Sequence, residues 1–302
     1  MIEFTADHYR ELCRTGSVRE RIATLEETRR SAVRGFWRYL LGAILLAAAI
    51  IVSLTATGWT LAGWAIGVAV LIAGIVLAVL PLSRASKALK HPVLEALAKQ
   101  GEMEYMPDGF DPPVYPDARK TLFGNWLSGQ VFTDLFHGVG ADGKRFAIYE
   151  ASLTRKSGKS TQTVFTGQIY AFQRRSRGSG SIAIVPDRGI FNFFKPAKGM
   201  DRVKFDGDPA FESKFEVYAS HPSEALALLG SDSRRQLLQL RKRGRVFAYV
   251  GPEDMLVAAW GRNRFEAGSM FRSLGGEERV RRMFDEVCES LGVLRALKRA
   301  LD

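Results

Sequence analysis

YLLGAILLAAAIIVSLTATGWTLAGWAIGVAVLIAGIVLAVLPLS, from Tyr39 to Ser83, is a run of 45 residues without one Asp, Glu, Lys, Arg or His. A bilayer's hydrocarbon core is roughly 30 Å thick and takes about 20 apolar residues per crossing helix, so the run is long enough to cross twice. Thr55-Ala56-Thr57-Gly58 divides it into a half rich in Leu, Ile and Ala and a half of Leu, Ile, Val, Ala and Gly that stops at Pro81. We read residues 39–83 as a two-span transmembrane hairpin. Buried core helices are the weaker account, because such a helix rarely needs more than about 10 to 14 uninterrupted apolar residues. A cleaved signal peptide fits worse, since a long polar stretch comes first.

The flanks orient the hairpin. Arg29, Arg30, Arg34 and Arg38 precede it, Arg84, Lys87 and Lys90 follow it, and the connecting turn carries no charge. Lys and Arg near span ends are retained on the cytoplasmic side, so both termini are expected there. Trp37, Tyr39, Trp59 and Trp64 supply aromatic rings near the headgroup levels. The charge of the whole chain agrees: 43 Lys and Arg against 32 acidic residues give a formal net charge of +11, all of it outside the hairpin. A basic domain tethered to a membrane is attracted by anionic headgroups. No finger, RNA-recognition or basic-zipper pattern appears, so no nucleic acid partner is expected. Cys13 and Cys288 form no paired framework, as suits a reducing cytosol.

Outside the hairpin, residues 1–38 read as a cytoplasmic polar helix, a stalk or strut with sparse apolar positions at Ile22, Leu25 and Val33. Residues 84–120 read as a helix interrupted at Pro92 and ended by Gly101, then a linker or irregular lead-in rich in Pro and Gly. From 121 to 302 we expect a cytoplasmic α+β domain. Val131–His137, Lys144–Leu153 and Gln162–Gln173 are strand-length aromatic and β-branched runs. Lys214–Ala219 alternates, and Arg245–Val250 with Met255–Trp260 forms a hairpin around Gly251-Pro252. Short helices are expected from Pro222 and from Ser231 or Asp232 to about Lys242. Val280, Met283, Phe284, Val287, Leu291, Leu294 and Leu297 recur at helical spacing, a closing helix with one stripe for the sheet. Grouped strands and helices argue for antiparallel strands packed with C-terminal helices over a parallel doubly wound sheet.

Val164-Phe165-Thr166-Gly167, Val203-Lys204-Phe205, the run Asp208-Pro209-Ala210-Phe211-Glu212-Ser213-Lys214-Phe215-Glu216-Val217-Tyr218, then Glu224-Ala225 and Leu228-Leu229 resemble a bacterial family of two-pass membrane proteins, domain of unknown function 3137. The pattern departs after Leu229, where Gly230-Ser231-Asp232 stands in place of an expected Pro. The resemblance implies a bacterial inner-membrane protein of this same layout and carries no catalytic residues to transfer.

Candidate sites follow from charge and small residues. Gly138-Val139-Gly140-Ala141-Asp142-Gly143 has the dinucleotide-binding glycine spacing, but a strand pattern rather than a helix follows it, so a hairpin turn accounts for the glycines. Gly158-Lys159-Ser160 lacks the first glycine of a phosphate loop. Three basic clusters are candidate lipid or partner contacts: Arg155, Lys156 and Lys159; Arg174, Arg175 and Arg177; and Arg234, Arg235, Arg241, Lys242 and Arg243 with Arg245. The first two stand at opposite ends of one expected strand, roughly 40 Å apart at about 3.3 Å per residue. Asp206, Asp208 and Glu212 read as solvated turn acids. His8, His91, His137 and His221 show no metal-ligand spacing, so neither metal nor cofactor is expected. Gly63, Gly67, Gly74 and Ala78 share a helical face for transmembrane packing, against Ala43 and Ala47 or in a homo-oligomer. The expectation is a noncatalytic scaffold or binding module for a protein partner or anionic lipid. The alternative is a membrane-tethered hydrolase or transferase whose site is assembled from separated residues.

Overall fold

The structure, a computed structural model, describes residues 4–124, 126–187, 199–266, 268–272 and 276–301. The fold is α+β: two long apolar helices, then an antiparallel sheet and a C-terminal helix. The chain divides into two compact units, neither contiguous in sequence. One is formed by Thr5–Leu97 with Glu266–Phe284, the other chiefly by Ala98–Phe265 with Asp285–Asp302.

The helical unit begins with α1 (Ala6–Arg14) and α2 (Gly16–Ala56). The expected polar strut breaks at Thr15, but from Gly16 onward it and the first span are one continuous helix, because interleaved acids and bases pass into Ala- and Leu-rich sequence with no proline between. After Gly58, whose φ of 83° suits a glycine turn, α3 runs from Thr60 to Gln100. Here the sequence reading needs correction: α3 stops neither at Pro81 nor at Pro92. Each proline removes one backbone donor, but Leu82, Ala85, Leu89, Val93, Leu94 and Leu97 are all buried around them, and that packing outweighs the local penalty. Both helices contain windows long and apolar enough to cross a membrane, with mean hydropathy of 2.4 and 2.8.

The polar part of α2 is less solvated than its sequence implies. Val18 and Leu25 are buried, as is Leu12 of α1. The segment Glu266–Phe284 joins these helices: Phe284 meets the Tyr9 ring at 5.4 Å, Phe271 meets Phe36 at 5.1 Å, and the Arg29 guanidinium donates to the Met270 carbonyl at 3.1 Å.

In the α+β unit, the residues read as linker form an edge strand, β1 (Glu104–Met106), and a helix, α4 (Tyr115–Phe123). Proline at the first turn of α4 suits a helix start rather than a break. The sheet continues through β2 (Gly129–Val139), β3 (Arg145–Ser157), β4 (Ser160–Gln173), β5 (Ile182–Pro186) and β6 (Asp201–Val203). A short helix α5 (Pro209–Glu212) precedes β7 (Phe215–Ala219), and α6 (Pro222–Leu228) and α7 (Ser231–Arg241) precede the hairpin of β8 (Val246–Val250) and β9 (Asp254–Trp260). Among the described residues the strand order is β1-β2-β3-β4-β9-β8-β5-β7-β6, antiparallel throughout.

Alternation along the strands separates two faces. Tyr149, Leu153, Phe165, Ile169, Phe247 and Leu256 pack in one core with Tyr115, Leu122 and Phe123 of α4. Gln168, on the other face, bonds Ser290 of the closing helix α8 (Gly276–Leu301). The apolar stripe of α8 is buried along its length, but not on the sheet alone: Val280, Met283 and Phe284 belong to the helical unit, and Val287 onward to the α+β unit.

Candidate functional site

The end of β9 builds a charged cleft inside the α+β unit. Gly167 has a φ of 145°, and a Cβ there would stand 2.2 Å from the Ala259 carbonyl oxygen, so only glycine lets β4 and β9 approach this closely. The Gly261 N–H then donates to the Thr166 carbonyl, and the chain turns out of the sheet carrying Arg262 and Arg264. Buried Glu150 anchors the far side by accepting the backbone N–H groups of Arg264 and Phe265 through one carboxylate oxygen. Facing them, α8 presents Glu286 and Glu289, three residues apart and therefore on one helical face.

The result is a ladder of alternating charge. Arg262 donates to Glu286 at 2.7 Å, Arg264 bridges Glu286 at 3.2 Å and Glu289 at 2.7 Å, and Arg243 reaches Glu289. Three cations and two anions leave the ladder ending in an arginine on each side, and both terminal arginines are exposed. Burial alone would lower the pKa of Arg264, but Glu289 and Glu286 hold it above its usual value; burial alone would raise Glu289, but Arg264 and Arg243 hold it below. Behind the ladder the Tyr170 hydroxyl, pushed well up by burial, donates to Gln168 at 2.7 Å, Gln168 donates to Ser290 at 3.0 Å, and Ser290 donates to the Glu286 carbonyl at 2.8 Å. The cleft has a volume of about 220 Å³, with Trp260 on its wall and the Arg245 guanidinium over that ring at 5.2 Å.

Of the residues singled out from sequence, only Arg243 lines this cleft. Arg155, Lys156 and Lys159 form the β3–β4 tip, where Arg155 lies 4.8 Å over the Trp126 ring and donates to Gln162, while Lys156 and Lys159 are exposed with no ion pair among the described residues. The second cluster must be divided. Arg174 is buried, donating to Glu224 at 3.0 Å and to the Gly251 carbonyl at 2.9 Å, and is thereby committed to holding the fold; Arg177 is exposed and pairs with Glu253, and Arg175 is exposed. The third cluster is largely neutralised. Arg234 pairs with Asp208 at 2.7 Å, Arg235 with Asp232 at 3.2 Å, and Arg241 donates to the Gly244 carbonyl, leaving Lys242 exposed.

The weaker motifs resolve into turns and caps. The glycine-rich run closes as a β2–β3 hairpin turn, with the Gly140 N–H on the Lys144 carbonyl and Asp142 paired to Lys298 at 2.7 Å. Asp208, read as a solvated acid, instead caps α5 and is held below its usual pKa by Arg234, while Glu212 accepts from the Phe205 N–H.

In the helical unit the small-residue face is occupied from within the chain. A Cβ on Gly74 would lie 2.0 Å from that of Ala43, and one on Gly67 would lie 2.6 Å from Ile51; Ala43, Ala47 and Ala78 are buried. The antiparallel partner α2 therefore takes the surface that a second copy would need.

Sequence reasoning missed Arg262, Arg264, Glu286 and Glu289 because their pairing joins segments more than 20 residues apart. A lone carboxylate, Glu150, inside the apolar run of β3 was the available signal that a buried polar anchor lay nearby.

Among curated proteins, none matches the sequence. The crystal structure of the mycobacterial trehalose monomycolate transport factor A, TtfA, aligns with 69% of this chain and 92% of its own at 13% identity, with a TM-score of 0.39, below the level that establishes a common fold. Residues 163–299 match the family described as "Protein of unknown function (DUF3137)", a segment containing both Gly167 and every residue of the charge ladder. That match spans 137 of the 302 residues, a little under half of the chain, and likens this segment to the DUF3137 family of proteins of unknown function.

Proposed function

We propose that this protein is a noncatalytic, membrane-anchored binding module. Its α2–α3 hairpin spans a bacterial inner membrane with both termini cytoplasmic, and its α+β unit recruits an anionic group of a protein partner or lipid at the arginine-ended cleft. The observation that carries the reading is the exposure of the hairpin: Leu45, Val52 and Leu61 are 71%, 68% and 89% exposed, and many other Leu, Ile and Val side chains from Leu41 to Leu80 are roughly half exposed. At about 1.5–3 kcal/mol for fully burying one such side chain, that surface would cost on the order of 10–20 kcal/mol in water. The whole stability of a domain is about 5–15 kcal/mol, so lipid is the solvent that this surface requires. The basic flanks at Arg34, Arg38, Arg84 and Lys87 support the orientation.

The cleft favours charge capture over substrate enclosure, since about 220 Å³ is below the roughly 300–1,000 Å³ of pockets that enclose small ligands. Arginine, always charged and planar, suits carboxylate or phosphate at such a mouth. The test uses the full chain. Alkaline extraction of native membranes should leave it in the pellet; release into the soluble fraction rejects the anchor. Held in neutral-lipid nanodiscs, it should bind polyglutamate beads or anionic vesicles at low salt and lose them by about 1 M, where the screening length falls to roughly 3 Å. Binding that ignores salt, or that survives Arg262→Gln with Arg243→Gln unchanged, rejects the cleft.

A further inference from the structure

We infer that the base of the helical hairpin holds a phosphate-headgroup site for an anionic phospholipid, a site separate from the cleft of the α+β unit and resting on the reading that α2 and α3 span a bilayer. A groove of about 890 Å³ lies between the two helices, and Arg34, Arg38 and Arg84 line it. Arg38 immediately precedes the charge-free stretch and Arg84 immediately follows it, so both mark the level where hydrocarbon gives way to headgroups. Arg34 and Arg38 are four residues apart on one helical face.

Charge pairing separates these arginines from their neighbours. Arg29 and Arg30, farther from the spans, are both bound by Glu26. Arg34, Arg38 and Arg84 are exposed and make no ion pair among the described residues. The space between them exists because the facing residues are small: Ala32 and Ala85 are buried in the floor, and a Cβ on Gly35 would already be 3.6 Å from Pro81. Thr28 and Ser31 add hydroxyl donors. The one carboxylate on the groove, Glu27, stands seven residues before Arg34, roughly 10 Å along a helix rising about 1.5 Å per residue, and so at the end away from the bilayer. Positive charge at the lipid side, hydroxyls in the middle and a carboxylate at the far end select a headgroup whose phosphate sits near the acyl chains, and basic pockets between spanning helices are suited to that chemistry.

The experiment is native mass spectrometry of the full chain, purified in neutral detergent and offered equal amounts of phosphatidylglycerol and phosphatidylcholine. Wild type should retain phosphatidylglycerol at least tenfold over phosphatidylcholine, and Arg34→Gln/Arg38→Gln/Arg84→Gln should abolish the preference. The variant Lys156→Gln/Lys159→Gln/Arg177→Gln, which removes three charges elsewhere, should keep it. Equal retention of the two lipids by wild type, or an unchanged preference in the first triple variant, overturns the site. Displacement of the lipid by millimolar inorganic phosphate overturns the lipid as its ligand in favour of free phosphate. Retention of the chain in alkaline-extracted membranes without lipid preference sinks this inference alone, whereas release from those membranes sinks the spanning reading beneath it.

Discussion

Arg155-Lys156-Ser157-Gly158-Lys159 and Arg174-Arg175-Ser176-Arg177-Gly178 stand at opposite ends of β4, and both are short basic runs broken by Ser and Gly. At the first, the lysines are exposed and the guanidinium of the one arginine stands over the ring of exposed Trp126. At the second, Arg174 turns inward and Glu224 closes over it, accepting from Arg174 through one oxygen and from the N–H groups of Ser179 and Gly180 through the other. The partner comes from α6, 50 residues downstream. A basic run is therefore a surface only where the fold brings no carboxylate to it, and composition within the run does not decide which case holds.

This contrast can be broken most forcefully at Arg174. Its removal by Arg174→Ala strands Glu224 and opens the loop, and should cost about 3 kcal/mol, the lower end for breaking a buried pair. Thermal unfolding of the full chain in detergent should then begin several degrees lower, and an unchanged midpoint would return Arg174 to the surface cluster. A smaller effect is expected from Glu224→Gln, about 2 kcal/mol at neutral pH for a charged hydrogen bond lost. Burial alone would raise the Glu224 pKa, but Ser179 and Arg174 hold it below the ordinary 4.5. A carboxylate depressed in the folded state contributes above its unfolded pKa and loses that contribution as pH falls through the folded value. The gap between wild type and Glu224→Gln should thus be full above the ordinary carboxylate pKa and close only as pH falls through the depressed folded value; a constant gap would remove the charge from the account. The smallest effect sharpens the other side: Lys156→Gln with Lys159→Gln should shift the midpoint by less than about 0.5 kcal/mol in equivalent stability, as surface substitutions do.

The same logic separates what sequence could and could not disclose. The two long apolar helices were legible because an uninterrupted apolar run needs no distant partner to be recognised. The β2, β3, β4, β8 and β9 strands were legible because their β-branched and aromatic runs end in Gly, Asp or Ser turns. Residues 101–120 were misread because four prolines there mark bends and helix starts as readily as a linker, and Tyr115 and Leu122 declare themselves core only once the sheet is above them. Pro92 was read as a break because a local penalty was weighed without the buried Leu89, Val93 and Leu94 that offset it. The cleft was invisible for the reason that hid Glu224: Arg264 and Glu289 are neighbours only after β9 and α8 have met. Glu150, a lone carboxylate in an apolar run, and Gly167 marked the place without saying what was built there.

The division of α8 has a consequence for how the molecule is made. Synthesis proceeds at about 5–20 residues per second, so the 168 residues between Leu97 and Glu266 leave the ribosome's first products waiting on the order of 10–30 s. During that interval Tyr9, Arg29 and Phe36 lack Phe284, Met270 and Phe271, the last of their contacts to be translated. Premature termination anywhere before residue 284 would thus leave the earliest helices incomplete, even though every residue of their own stretch had been made.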